Sequence, residues 1–248
     1  MKLRGKTFIV TGASRGLGEA LAKELGRAGA NLVIGARNKA ALEFVQAEVR
    51  ELGVGCEAVA GSSASAEVAE GLVKAAVVLG GFAGFVHNAG IVHPGPLVFE
   101  LAEAAYHEVV ESNLTGGYQL ARFAYPQLMR QGEGVAVFVG SGLAEHHLPG
   151  TGLHGAAKAA EEYLARQLAL EAPEITCWVY RPGLVETEMQ RQLREAEGGG
   201  GEATRALYRA YQRQGQVLTP EQSAAALVRL LEADPRRFHG GIAHQTDV

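Results

Sequence analysis

Thr11-Gly12-Ala13-Ser14-Arg15-Gly16-Leu17-Gly18 is the stretch that decides the fold. Ahead of it, Thr7-Phe8-Ile9-Val10 is short, apolar and rich in β-branched residues, the composition of a buried strand. Behind it, Leu17, Leu21, Leu25 and Ala28 recur at helical spacing, so a helix opens near Gly16. Strand, glycine turn and helix in this order form the opening of a dinucleotide-binding unit. Glycine permits a tight turn and a close approach of a pyrophosphate to the backbone. The helix N-terminus adds unpaired N–H groups and a partial positive charge. A glycine turn also joins strands to helices where no ligand binds, so the rest of the chain has to decide.

The composition sets bounds. With 248 residues, 47% hydrophobic and 20% charged, the chain suffices for one large α/β domain spanning 1–248. A net charge of −4 offers no basic field to nucleic acid. No window reaches the apolar length of a membrane span, and Met1 to Lys6 lead into the first strand without the apolar core of a signal peptide. The expectation is a cytoplasmic protein with neither nucleic acid nor membrane as partner. Cys56 and Cys177 fall in separate expected strands and read as small core residues, not as a disulfide or a metal site.

Further units follow along the chain. Asn31 to Gly35, Val54 to Ala60, the run ending Phe85-Val86-His87, Gly134 to Ser141, Ile175 to Tyr180 and Gly240 to Gln245 read as strands, the last at an edge. Helical patterns lie between them at 39–52, about 65–79, 101–111 and 114–130. Thr219-Pro220-Glu221-Gln222 opens another with Thr at the N-cap, Pro at N1 and Gln at N3, running to about Glu232. Six βα units in series predict a doubly wound parallel sheet, a Rossmann-type fold. From Glu188 to Gln216 the chain is polar and carries Gly198-Gly199-Gly200-Gly201, which reads as a break unable to hold a helix. Two readings of 188–216 stand: a mobile lid over a substrate, or a plain surface loop.

The Gly-x-x-x-Gly-x-Gly spacing after Thr11 resembles the short-chain dehydrogenase/reductase family in its classical form, and further motifs carry the resemblance along the whole chain. Asn88-Ala89-Gly90 matches the family's Asn-Ala-Gly, Pro182-Gly183-x-x-x-Thr187 its Pro-Gly-x-x-x-Thr, and Ser141 with Lys158 the strand-end serine and helical lysine of its catalytic set. The resemblance implies NAD(P)-linked oxidoreduction of a small carbonyl compound. It assigns cofactor contacts to Gly12, Ser14, Arg15, Gly16, Leu17 and Gly18, to Asn88, Ala89 and Gly90, to Lys158, and to Pro182, Gly183, Val185 and Thr187. It also implies a homo-oligomer, dimer or tetramer, built on the helix that carries Lys158 and the long helix before it; both faces packing inside one chain is the alternative.

Cofactor preference is read at the second strand's end. NAD-binding relatives place a carboxylate there for the ribose hydroxyls. This chain has Ala36-Arg37, and Arg15 lies in the glycine loop. Each arginine alone reads as surface; together, with no acid present, they suit the 2′-phosphate of NADP(H). After the third strand Gly61-Ser62-Ser63 stands where relatives carry Asp, leaving Ser62 for the adenine.

The family's Tyr-x-x-x-Lys is here His154-Gly155-Ala156-Ala157-Lys158, with histidine in the tyrosine position. Residues i and i+4 share a helix face, so the pair still meets one substrate. Tyr163 lies nine residues further, close to half a turn round, and does not replace the missing phenol. Asn113 carries the family's relay asparagine, with helix capping as the alternative. The expected roles are Ser141 on the carbonyl oxygen, His154 as proton source, Lys158 on the ribose and Asn113 in the relay. His146 and His147 stand in reserve for the proton, while His87 and His93 read as structural or surface residues. Two functions follow: an NADPH-dependent ketone or aldehyde reductase, or an NADP(H)-binding sensor or scaffold whose dehydrogenase activity the histidine has suppressed.

Overall fold

The computed structural model describes residues 1–248. In chain order the elements are β1 (Thr7–Thr11), α1 (Gly16–Arg27), β2 (Asn31–Ala36), α2 (Lys39–Glu51), β3 (Cys56–Ala60), α3 (Ala66–Leu79) and β4 (Phe82–His87). Then come α4 (Glu103–Val110), α5 (Gly116–Gln131), β5 (Gly134–Val139), α6 (Gly152–Glu171) and β6 (Ile175–Arg181). The last are α7 (Glu188–Arg194), α8 (Gly201–Arg213), α9 (Pro220–Glu232) and β7 (Ile242–His244). The seven strands form one sheet of order β3-β2-β1-β4-β5-β6-β7, every pair parallel. This is the expected doubly wound fold, and β7 is the expected edge strand.

Side chains alternate across a strand, so each strand feeds both faces of the sheet. Phe8, Val10, Leu32, Ile34, Val135 and Val137 pack with Leu21 and Leu25 of α1, Leu42 and Val45 of α2, and Leu227 and Leu231 of α9. Ile9, Val33, Ala136 and Phe138 pack on the other face with Leu72 of α3, Leu120 and Leu128 of α5, and Ala165 and Ala169 of α6. Both cysteines are buried and unpaired in β3 and β6. No helix is long and apolar enough to cross a membrane.

Local signals held where capping chemistry was explicit. Thr219 Oγ1 accepts the Gln222 N–H at 3.2 Å and Gln222 Oε1 accepts the Thr219 N–H at 2.8 Å, a complete capping box. Two expectations need correction. The helices at 101–111 and 114–130 are not interrupted: one π turn, Glu111–Thr115, carries α4 into α5, so Asn113 caps nothing. The segment 188–216 is not irregular, since it forms α7 and α8. Its glycines serve close backbone approach: a Cβ on Gly200 would lie 2.2 Å from Gly150 N, one on Gly198 2.7 Å from Pro96 N, and Gly201 itself opens α8.

Candidate active site

A sheet whose strand order runs outward from β1 in both directions leaves a crevice beyond its carboxyl ends, between β1 and β4. A cavity of about 1610 Å³ occupies it. Its walls come from the β1–α1 turn, the ends of β2, β4, β5 and β6, the start of α6, and α7. Of the residues singled out in the sequence, Gly12, Ser14, Arg15, Gly16, Leu17 and Gly18 line it, with Arg37, Ser62, Asn88, Ala89 and Gly90. Ser141, His154, Lys158, Pro182, Gly183, Val185 and Thr187 line it as well, and so does His146 but not His147.

At one end the β1 and β4 exits are tied together. Thr11 Oγ1 accepts the N–H groups of Asn88 and Ala89, each at 3.1 Å, and Asn88 Nδ2 donates to Thr11 O at 3.1 Å. A Cβ on Gly18 would lie 2.2 Å from Gly12 O, so the turn closes only around glycine. No side chain caps α1, which leaves its first N–H groups facing the crevice. Arg15 and Arg37 are exposed, and neither enters an ion pair or side-chain hydrogen bond. Ser62 Oγ accepts the Ala64 N–H at 3.3 Å.

At the other end Ser141 follows β5, its Oγ accepting the Leu143 N–H at 3.2 Å. His154 and Lys158 lie one turn apart on α6, both buried. Asn113 does not line the cavity. Its amide clasps Ile91, accepting the Ile91 N–H at 2.7 Å and donating to Ile91 O at 3.0 Å. The same Nδ2 lies 3.1 Å from His154 Nδ1, which is also 2.9 Å from Ile91 O. Asn113 thus acts through its side chain, on the loop and on the imidazole. When Nδ1 accepts from Asn113, the ring's proton sits on Nε2 as a donor; when Nδ1–H donates to Ile91 O, Nε2 is an acceptor or, in the imidazolium, a second donor. Burial, and then the Lys158 cation, lower the His154 pKa from 6.5 to about 4, against the opposing Ile91 carbonyl and Glu161 carboxylate. At neutral pH the ring carries no charge.

Behind these residues lies a set of buried charges that the sequence reading missed. Lys158 Nζ donates to Val139 O at 2.8 Å and to Glu161 Oε2 at 2.7 Å, and Glu161 Oε1 lies 2.6 Å from His87 Nδ1. The expectation of a structural His87 holds, and His93 pairs at the surface with Glu108. The i, i+3 spacing of Lys158 and Glu161 was a usable signal. Glu162 and Arg181 form a second buried pair. Nineteen residues separate them, and no spacing rule brings them together.

Over the cavity mouth α7 contributes Met189, Gln190 and Leu193. Leu193, Tyr208 of α8 and Val92 form a small apolar cluster of their own. Thr204 Oγ1 donates to Pro149 O at 2.7 Å, and the Gly200 N–H donates to Gly95 O at 2.7 Å.

A sequence model described as short chain dehydrogenase matches residues 6–198. The 3-oxoacyl-(acyl-carrier-protein) reductase FabG of Pseudomonas aeruginosa is 34% identical over 200 residues, which cover 79% of this chain and 81% of that one. Among solved structures, an alcohol dehydrogenase from Thermococcus sibiricus complexed with 5-hydroxy-NADP superposes with a TM-score of 0.81 at 28% identity, over 97% of this chain and 96% of its own. A 3-ketoacyl-(acyl-carrier-protein) reductase from Brucella melitensis complexed with NADH gives 0.84 at 27% identity, over 98% and 97%.

Proposed function

The chain belongs to the short-chain dehydrogenase family, and from that membership we propose that it is an NADPH-dependent oxidoreductase that reduces a ketone or aldehyde by hydride transfer. The observation that carries this reading is one cavity with two unlike ends: a glycine loop flanked by unpaired arginines, and a cluster of Ser141, His154 and Lys158. The uncapped start of α1 and the glycine contour support a pyrophosphate on Gly12, Ser14, Gly16, Leu17 and Gly18. Ser62 faces the adenine, Asn88-Ala89-Gly90 leave room for the cofactor, and Pro182, Gly183, Val185 and Thr187 cover the nicotinamide. The bound dinucleotide supplies the hydride. Ser141 holds the carbonyl oxygen, Lys158 holds the ribose, Asn113 orients residue 154, and His154, in the place of the family's tyrosine, delivers the proton. Two relatives are named for a 3-oxoacyl substrate, which makes β-keto thioesters the first carbonyl compounds to assay. The exposed Tyr118 and Met129 on α5 and Tyr163 and Leu170 on α6 support assembly of copies through these helices.

One relative was solved with an NADP derivative and another with NADH, so cofactor preference rests on this chain's own residues. Arg15 and Arg37 are free to pair a 2′-phosphate, and no carboxylate follows β2. NADPH is expected to bind more tightly than NADH in a fluorescence titration. Arg37→Asp should move the ratio toward NADH by about tenfold or more, since a carboxylate repels the phosphate and accepts from a free ribose hydroxyl. Equal or tighter NADH binding by the native protein ends the NADPH assignment.

Residues 188–216 act in this reading as a lid. They meet the body through hydrogen bonds from Thr204, Gly199 and Gly200, the Arg194–Glu186 ion pair and a small apolar cluster that stands apart from the main core. Amide exchange over α7 and α8 should be fast in the free protein and slow with NADPH. Full protection in the free protein rejects the lid. A neutral, buried His154 favours a second reading, the NADP(H)-binding sensor or scaffold. A protein that binds NADPH yet oxidises it with no member of a diketone, quinone, aldehyde and β-keto thioester panel is that sensor.

A further inference from the structure

Arg181 closes β6, and Pro182 follows it, so its backbone starts the 182–187 loop. Its side chain is buried. Nε donates to Glu162 Oε1 at 3.1 Å and Nη2 to Glu162 Oε2 at 2.8 Å. Nη1 and Nη2 donate to Glu145 Oε2 and Oε1 at 3.0 and 2.7 Å. Glu162 Oε1 also accepts the Ser141 N–H at 3.2 Å, and a Cβ on Gly140 would lie 2.4 Å from that oxygen. One planar cation therefore engages two carboxylates by paired bonds, the geometry that Arg alone provides. One carboxylate holds the main chain of Ser141, and the other belongs to the loop that carries Ser141 and His146. The bonds to Arg181 hold the Glu145 carboxyl below its usual range. Arg181 and Glu162 are buried while the Glu145 side chain is 54% exposed, so Glu145 is the arm that detaches.

We propose that Arg181 is a positioning residue that couples the 182–187 loop to the 141–148 loop, so that ordering one orders the other. The functional consequence rests on the reading of Ser141 and the 182–187 loop given above: cofactor bound under 182–187 would set Ser141 and His146 for the carbonyl. The coupling itself rests on the bonds just described. A chain of paired charges between two segments is the kind of contact that transmits order, and its warrant is a perturbation at one end felt at the other.

The test is amide hydrogen exchange on the full chain, native and Glu145→Gln, free and with NADPH. In the free protein Glu145→Gln should speed exchange in 143–148 and also in 183–187, by about tenfold, the scale of losing one charge-assisted pair. With NADPH, protection should spread from 183–187 into 143–148 in the native protein and stop at 187 in the variant. The variant should bind NADPH more weakly by up to about tenfold, because binding must order 183–187 from a looser state, and should show a raised KM for the carbonyl. Arg181→Lys, a point charge unable to hold both carboxylates, should reproduce the pattern, with its melting temperature as the check on folding. Faster exchange confined to 143–148, or protection that still spreads in the variant, overturns the coupling. If the native protein binds no NADPH, the functional reading fails by direct titration, and the free-protein comparison still decides the coupling. Should Arg181→Lys not fold, the surface substitution Glu145→Gln decides alone.

Discussion

His154→Tyr is expected to reduce a carbonyl substrate on the order of a hundred times faster than the native protein at neutral pH, the usual worth of a positioned general acid. One cation acts in opposite senses on the two kinds of acid. Lys158 opposes the imidazolium by like charge and, with burial, holds the His154 pKa at about 4. The same cation beside a phenol would favour the phenolate and make the phenol a better proton source. At pH 7 native His154 is a neutral imidazole: with Nδ1 accepting from Asn113 its Nε2–H orients a carbonyl but gives up the proton poorly, and with Nδ1–H on Ile91 O it has no proton to give. Native turnover should therefore climb as pH falls from 7 toward 4, and His154→Ala should lose that climb.

The same shift has a stability consequence. The folded-state pKa lies below the ordinary 6.5, so the contribution of His154 to stability is fully present above about pH 6.5 and is lost as pH falls toward 4. His154→Tyr escapes this loss, so acid-limb rates are read alongside circular dichroism. Full activity in His154→Ala at every pH removes residue 154 as the proton donor. No gain in His154→Tyr on any carbonyl moves the NADP(H)-binding sensor ahead of the reductase.

Glu161→Leu is expected to cost about 3–5 kcal/mol, because it leaves the Lys158 ammonium buried with no counter-charge and takes the acceptor from His87. In a chain of this length that loss lowers the melting temperature by about 10 °C or more. The double variant Lys158→Met with Glu161→Leu should be less destabilised than Glu161→Leu alone, since an apolar pair of similar volume replaces a broken ion pair. Urea unfolding of the single and double variants measures both. A Glu161→Leu protein within about 1 kcal/mol of native would show that the ammonium finds water or another acceptor, and that the buried row adds little.

The errors in reading the chain share one cause. The break at Ser112-Asn113 suggested a helix end because asparagine disfavours helix interiors, yet the Asn113 amide finds its partners on Ile91, and one π turn keeps the helix continuous. The four glycines at 198–201 suggested a break in a mobile lid, or a plain surface loop, because a run of glycines is too flexible to hold a helix. In the fold they let two backbones touch at Gly95 and Gly150. In both cases a contact distant in sequence overrode a local preference. The motifs that line the cavity were legible for the opposite reason: their chemistry is local, a strand end followed within a few residues by a turn or a helix start.

The sequence by itself determined the order of strands and helices, the glycine turn at the start of α1, the arginines beyond β1 and β2, and the one-turn spacing of His154 and Lys158. Those follow from hydrophobic period, steric freedom and helical geometry, which act over a few residues. Only the tertiary structure decided that β6 lies beside β5, bringing Arg181 against Glu162 and, through the loop after β5, against Glu145. Only the tertiary structure decided that Glu161 meets His87 from β4 and that Asn113 meets His154. Those pairings depend on how far burial removes each charge from water and on which charges then stand close enough to compensate. Neither quantity exists until the chain has closed on itself.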